Sequence, residues 1–367
     1  MGTALALAER SRGRTAPNPN VGCVIVRDGR VVGRGWTQAG GRPHAEAMAL
    51  AEAGAKAQGA TAYVTLEPCA HRSPRGPACS DLLIESGVAR VVAALEDPDA
   101  RTAGQGFARL QAADIIVTRG IRSDEARRSM AGFLTRQALG RPHVTLKLAT
   151  SLDGCIAMAD GSSRWITGPE ARAHAHLERS RHEAILVGRG TYEADAPRLD
   201  VRLPGLEGRA PKRVLLSTTL TATPSPSPRH SSESWNIPVA GHDGASWGDP
   251  SFRWGDGIGA GGEKSRASGE SGDWTVITSP QAVATLPNID HILVEGGAAV
   301  ASAFLSADLV DRILLYHAPI LIGGGRHALR DIGLTDLTAA HGRWAIVDAR
   351  QLGSDRLEVY ERERNEA

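Results

Sequence analysis

A chain of 367 residues is too long for one ordinary domain, and two is the natural expectation. Hydrophobic residues at 41% and charged residues at 23% give apolar material for two cores, a soluble globular composition rather than a disordered or fibrous one. The formal net charge of +1 provides no field for holding a long polyanion, which argues against nucleic acid as a partner.

Four cysteines in a chain of this length do not make a disulfide framework. No apolar run approaches the ~18 residues of a membrane span. Glu9 and several arginines near the N-terminus do not suit a signal peptide. A cytoplasmic protein with no membrane partner is expected. Met1 to Glu9 read as part of a helix whose first turn is missing.

In chain order, Leu5, Leu7 and Ala8 predict a short opening helix, followed by the turn Ala16-Pro17-Asn18-Pro19-Asn20. The β-branched run Val21 to Val26 predicts a buried strand, and Asp28-Gly29 a hairpin leading to Val31-Val32. A helix from about His44 to Ala53 is ended by Gly54. Ala62 to Leu66 reads as a strand, Ser80 to Ser86 as a helix closed by Gly87, and Val88 to Leu95 as a strand. Leu110 and Ile115 to Val117 continue an alternation that predicts a largely parallel sheet between helices. An amphipathic helical stretch covers about Asp124 to Gly140. Arg141-Pro142 punctuates it and sets the expected boundary between domains 1–141 and 142–367.

The second region alternates again. Strands are predicted at Val144 to Ala149, Ala184 to Val187, Arg213 to Ser217, Ile292 to Val294, Arg312 to Ala318, Trp344 to Val347 and Leu357 to Tyr360. Helices are predicted at Ala171 to Ser180 and Ala298 to Ser306. Between about 221 and 273 the chain is rich in Ser, Gly and Pro without a hydrophobic period, and reads as a flexible insertion.

The chemistry concentrates between Pro43 and Cys79. Pro43-His44-Ala45-Glu46, Glu67-Pro68-Cys69-Ala70-His71 and Cys79 offer one imidazole and two thiols, a ligand set suited to a catalytic zinc. Glu46 stands two residues after the histidine, placed to move protons without being a ligand. H-x-E followed by P-C and a second Cys is the signature of zinc-dependent nucleobase deaminases, although nine residues here separate Cys69 from Cys79. Positions i and i+2 do not share a helix face. His44 and Glu46 therefore reach one site only at a helix N-terminus, and Cys79 is expected to open the next helix. Cys23 and Cys155 read as core residues.

On these and further motifs, the chain resembles the bifunctional riboflavin-biosynthesis deaminase–reductases essentially end to end, except in the insertion. Thr15-Ala16-Pro17-Asn18-Pro19-Asn20-Val21-Gly22-Cys23-Val24, Pro43 to Glu46 and Thr65 to His71 resemble the deaminase motifs. Lys147 to Gly154, Ser163 to Thr167 and Leu293 to Gly297 resemble the reductase motifs. The resemblance implies an α/β chain: a cytidine-deaminase-like three-layer α/β/α domain followed by a dihydrofolate-reductase-like α/β domain. It implies zinc-dependent hydrolytic deamination of 2,5-diamino-6-(5-phosphoribosylamino)pyrimidin-4(3H)-one, a small phosphorylated pyrimidine. NADPH-dependent reduction of the ribosyl to a ribityl chain follows.

The resemblance also implies site residues. His44, Cys69 and Cys79 hold zinc and Glu46 is catalytic. Asn18, Ser163, Arg179, Leu199, Arg202 and Glu295 contact substrate, and Ala149, Trp165, Thr191, Asp195 and Gly297 contact NADPH. Lys147, Asp153 and His71 are further polar candidates. A homo-oligomer is expected.

The chain departs from the family in three places. The family's histidine shortly before Pro43 is absent from Trp36 to Gly41, the loop 70–78 has its own sequence, and Ser217 stands where an aspartate is common. A deaminase whose reductase-like domain is silent and serves oligomerisation is the alternative. A tRNA-acting deaminase is a weaker rival, since it demands a basic surface.

Overall fold

The computed structural model describes residues 1–71, 74–219 and 274–364. The expected insertion at 221–273 lies outside them.

The first half opens with α1 (Gly2–Ala8), which buries Ala4, Leu5, Leu7 and Ala8. The hairpin strands β1 (Gly22–Arg27) and β2 (Arg30–Trp36) follow. Then come α2 (Ala45–Ala53), β3 (Thr61–Val64), α3 (Cys79–Glu85), β4 (Arg90–Ala93), α4 (Gln105–Ala112) and β5 (Ile116–Thr118). The sheet order is β2-β1-β3-β4-β5. It is mixed rather than largely parallel: β1 runs antiparallel to both β2 and β3, while β3, β4 and β5 are parallel. The reason is the tight Asp28-Gly29 turn, with positive φ at both residues, which can only reverse the chain.

Glycines on this hairpin set where α2 lies. A Cβ on Gly33 would stand 2.1 Å from the Ala49 carbonyl oxygen, and one on Gly35 2.0 Å from that of Ala45. The helix backbone thus rests directly on the strand, with its N-terminus held at the sheet end where the metal candidates converge. Cys23, Ile25, Ala62, Val64, Leu83, Phe107 and Leu110 build the core beneath.

The expected single helix before residue 140 is two, α5 (Ser123–Ser129) and α6 (Ala131–Leu139). Met130, at φ −102° and ψ 18°, breaks them, and Gly140 caps the second in the left-handed conformation.

The second half continues with β6 (His143–Thr150), the short β7 (Cys155–Ala157), α7 (Pro169–Arg179), β8 (Ala184–Gly188), α8 (Arg189–Asp195) and β9 (Lys212–Leu216). After the insertion come β10 (Thr275–Ile277), β11 (His291–Val294), α9 (Ala298–Ser306), β12 (Arg312–His317), β13 (Arg326–His327), β14 (Trp344–Leu352) and β15 (Asp355–Arg362). Sequence pattern did not reveal β7, α8, β10 or β13, all too short to show a period.

The large sheet has the order β10-β9-β8-β11-β6-β12-β15-β14. Strands β10 to β12 in that order are parallel, and the β15–β14 hairpin closes one edge antiparallel. The parallel strands are buried on both faces and read as continuous apolar runs such as Ala184 to Val187 and Ile292 to Val294.

The described residues belong to one compact unit, in which the two halves meet. Their junction is polar. Gly132 N donates to His291 Nε2 at 3.1 Å, and the Arg136 guanidinium donates to the carbonyls of Ala284, Leu286 and Ile289. Arg209 Nη1 donates to the Arg10 carbonyl at 2.9 Å. Glu178 is buried there, yet the surrounding Arg312, Arg181 and Arg12 outweigh the burial and hold its carboxyl below the usual range.

Candidate active sites

His44 is the N-cap of α2, in extended backbone, and Glu46 is in the first turn. Cys79 is the first residue of α3. Both placements match the sequence expectation, because only the entering chain lets i and i+2 face one point. His44 Nδ1 lies 3.3 Å from Cys79 Sγ and 3.6 Å from Cys69 Sγ, and the three ligand atoms all lie within 4.8 Å of one another. Tetrahedral zinc with ordinary bond lengths separates a ligating N and S by about 3.5 Å, so the donor set fits zinc. His44 offers Nδ1, while its Nε2 meets the Asn18 side-chain amide at 3.1 Å, and Asn18 Nδ2 also donates to the Gly41 carbonyl at 3.0 Å.

The two thiols titrate as a pair. The hydrogen bond from Cys79 holds Cys69 well below the ordinary thiol range, burial opposing, and Cys79 is raised in consequence. The amide of Cys79 also donates to Cys69 Sγ at 3.3 Å. Glu46 is buried, and burial pushes its carboxyl up to about 7, against the opposing influence of His44. A carboxyl poised near neutrality beside an open-site metal is the arrangement of a proton shuttle.

A second segment packs against the chain around Cys69. Asp97 is buried and pushed up to about 6 by that burial, against the hydrogen bond from the Asp99 amide and with the charges of Asp99, Glu67 and Cys69 adding to it. His71 Nδ1 meets Thr102 Oγ1 at 3.4 Å. Sequence reasoning singled out neither Glu67, Asp97 nor Thr102 as site residues; the adjacency of Glu67 to Pro68-Cys69 was the one available signal.

The second cluster gathers at the C-terminal ends of the parallel strands, where open α/β sheets bind ligands. Glu295 follows β11 and Arg179 ends α7, and they pair in bidentate fashion, Nε–Oε1 2.7 Å and Nη2–Oε2 2.8 Å. Burial would raise the Glu295 carboxyl. Arg179, Lys147 and His176 overcome it and bring it down to about 2. Burial in turn lowers Lys147. Arg179 Nη1 donates to the Asp200 carbonyl at 3.2 Å, and the Asp200 carboxylate pairs with Arg202 at 2.9 Å and with Arg198 at 3.2 Å. Ala149 lies near the end of β6, Thr191 and Asp195 on α8, and Gly297 is the N-cap of α9.

Ser163 and Trp165 are exposed in the loop before α7; the Trp165 ring faces Arg172 at 4.9 Å, and Arg164 pairs with Asp195 at 3.8 Å. The Leu199 side chain belongs to the core, and φ of +51° there leaves its backbone turned sharply. Asp153 is half-buried and accepts from the amides of Ile322 and Gly323 and the hydroxyl of Ser151, which fixes a turn. Cys23 and Cys155 are buried, as expected of core thiols.

A histidine–dithiol centre with a buried glutamate at two helix starts, fused to a parallel sheet with a polar cluster at its carboxyl ends, defines a zinc-type deaminase joined to a second α/β enzyme. Comparison with known proteins agrees half by half. The family "Cytidine and deoxycytidylate deaminase zinc-binding region" matches residues 1–95, and "RibD C-terminal domain" matches 142–247 and 261–357. The riboflavin biosynthesis protein RibD of Escherichia coli K12 is 38% identical, over 97% of this chain and 96% of its own. That of Aquifex aeolicus is 37% identical over 92% and 90%.

Among solved structures, Acinetobacter baumannii RibD is 34% identical with a TM-score of 0.75, covering 99% and 98% of the two chains. The Thermotoga maritima diaminohydroxyphosphoribosylaminopyrimidine deaminase/5-amino-6-(5-phosphoribosylamino)uracil reductase is 31% identical with a TM-score of 0.77, covering 99% and 97%. The chain belongs to the bifunctional riboflavin-biosynthesis deaminase–reductase family. It is a deaminase and a reductase in one chain, with zinc and NADPH as cofactors.

The second cluster leaves open ground at a helix start, which suits the phosphates of a dinucleotide. Nothing lies within 4 Å of where a Cβ would stand on Gly190 or Gly297, whereas Gly188 and Gly296 press against Val300. The N-cap of α9 has no side-chain hydrogen bond, so its first amides face that open ground.

Proposed function

We propose that residues 1–141 carry the deamination and 142–367 the reduction, with the boundary at Arg141-Pro142. His44, Cys69 and Cys79 hold the zinc, which when bound lowers the pKa of water to about 7. Glu46 takes a proton from the attacking water and delivers it to the ring nitrogen, then takes the hydroxyl proton of the tetrahedral adduct and delivers it to the departing amine. The oxygen of water becomes the new carbonyl, and the C–N bond breaks to release ammonia. The substrate is 2,5-diamino-6-(5-phosphoribosylamino)pyrimidin-4(3H)-one. The observation that carries this reading is the convergence of three ligand atoms within 4.8 Å beside a buried Glu46.

Asn18 sits beside His44 and borders the substrate.

In the second half NADPH supplies the hydride when bound. Gly297 and the first turn of α9 receive its phosphates, and Ala149, Trp165, Thr191 and Asp195 line its groove. Arg179, held by Glu295, and Arg202, held by Asp200, present charge to the substrate phosphate, while Ser163 and the Leu199 backbone border the sugar.

The protein acts in the cytoplasm, consistent with four unpaired cysteines and with no described helix long and apolar enough to cross a membrane. It assembles as a homo-oligomer through the β14 edge. Leu337 at 77% exposure just before β14 and Ile346 at 54% on it support that reading, since such side chains favour a second copy over water.

The test follows NADPH absorbance in zinc-loaded protein after adding the diaminopyrimidine ribotide. Oxidation that disappears in Glu46→Gln and returns with deaminated substrate is expected. Ammonia release without NADPH oxidation, even with deaminated substrate supplied, would refute the reductase assignment.

A further inference from the structure

Glu67 precedes Pro68-Cys69 and is 3% exposed. Its Oε2 accepts from the amides of Asp97 at 3.2 Å and Gly104 at 2.9 Å, and its Oε1 from the amide of Phe107 at 3.1 Å. All three donors belong to one stretch, the loop after β4 and the first turn of α4. That helix has Gly104 as its N-cap and no cap side chain of its own, so Glu67 satisfies from outside the N3 amide that a cap side chain would otherwise serve, and the N-cap amide besides. Contact is close as well as polar. A Cβ on Gly106 would stand 2.0 Å from the Pro68 carbonyl oxygen. A second tie lies beyond the cysteine, where His71 meets Thr102.

We propose that Glu67 is a positioning residue for the deamination: it fixes the 97–104 loop against the Cys69 strand end, so that this loop forms a wall of the substrate pocket. The argument rests on reading the His44–Cys69–Cys79 centre as the deaminase site. A buried carboxylate accepting three amides from one loop has its charge satisfied only while that loop is in place, so the loop and the metal-bearing segment move as one body. A glutamine at this position keeps the shape. Its NH₂ cannot accept, so one or more of the three amides loses its partner.

The experiment compares Glu67→Gln with the wild-type holoenzyme in four readouts: zinc per chain, deamination kinetics, reduction of deaminated substrate, and amide hydrogen exchange in the 96–108 peptide. Expected are unchanged zinc content, reduction within twofold, a fall of at least tenfold in deaminase kcat/KM, and faster exchange in 96–108. The proposal is overturned if deaminase kcat/KM stays within threefold, or if zinc is lost in step with activity, which would make Glu67 part of the metal centre's own support.

Should the variant not fold, exchange in the wild-type protein decides. Slow amides at Asp97 and Gly104 support the anchor, and amides exchanging at loop rates refute it. Wild-type protein that fails to deaminate at all would instead refute the underlying site reading.

Discussion

At the scale of single residues, the two sites use charge in opposite ways. Burial leaves Glu46 near neutrality, where it can give and take a proton, whereas Glu295 is kept ionised by Arg179 despite burial. Removing the zinc with a chelator is therefore expected to abolish ammonia release while leaving NADPH oxidation with deaminated substrate intact, since no metal candidate lies among the described residues of the second cluster. The Arg179–Glu295 pair makes a stability prediction.

Glu295→Gln leaves the buried Arg179 guanidinium without its carboxylate partner, a loss of about 3–5 kcal/mol at neutral pH. Because the folded carboxyl titrates near 2, below its unfolded value, its contribution is fully present above the unfolded pKa and lost as pH falls toward 2. The deficit of the variant, followed by circular dichroism melts, should narrow from pH 5 to pH 2. A pH-independent deficit would show that the charge of Glu295 contributes nothing.

At the scale of elements, glycines decide where helices sit. Gly35 lets the first turn of α2, with Glu46, lie on β2. Gly35→Ala must displace that helix, a cost of about 1–3 kcal/mol from overpacking. A shift of about 1 Å at the catalytic group costs about 10²-fold in rate. Deamination should fall by that order, with reduction nearly unchanged. Equal losses in both activities would point instead to global unfolding.

Gly132 in α6 makes the complementary case. Alanine in an exposed helix interior normally gains up to about 1 kcal/mol over glycine, yet here the added Cβ would stand 2.3 Å from the His291 ring. Gly132→Ala should lower the urea midpoint, and His291→Ala added to it should recover part of the loss, the coupling of a double-mutant cycle.

At the scale of the whole molecule, the exposed apolar residues near the β14 edge predict association. Ile346→Asp with Leu337→Asp should lower the mass seen by light scattering, with deamination retained. An unchanged mass would move the interface elsewhere.

How much of this was legible beforehand varies with the range of the interaction. His44, Glu46, Cys69 and Cys79 carried their chemistry in residue type and short spacing, and their placement at helix starts followed from the helical repeat alone. Strands such as Ile292 to Val294 and the helix Ala298 to Ser306 were equally plain, because local apolar period and propensity set them. The three amides on Glu67 and the Arg179–Glu295 pair depend on contacts across tens to more than a hundred positions. Residue type and spacing carried the chemistry of the zinc centre, and the resemblance to the family supplied the two reactions. Which polar groups meet, and so what holds each site in shape, was decided only when the chain was packed, since a buried hydrogen bond has no period along the sequence.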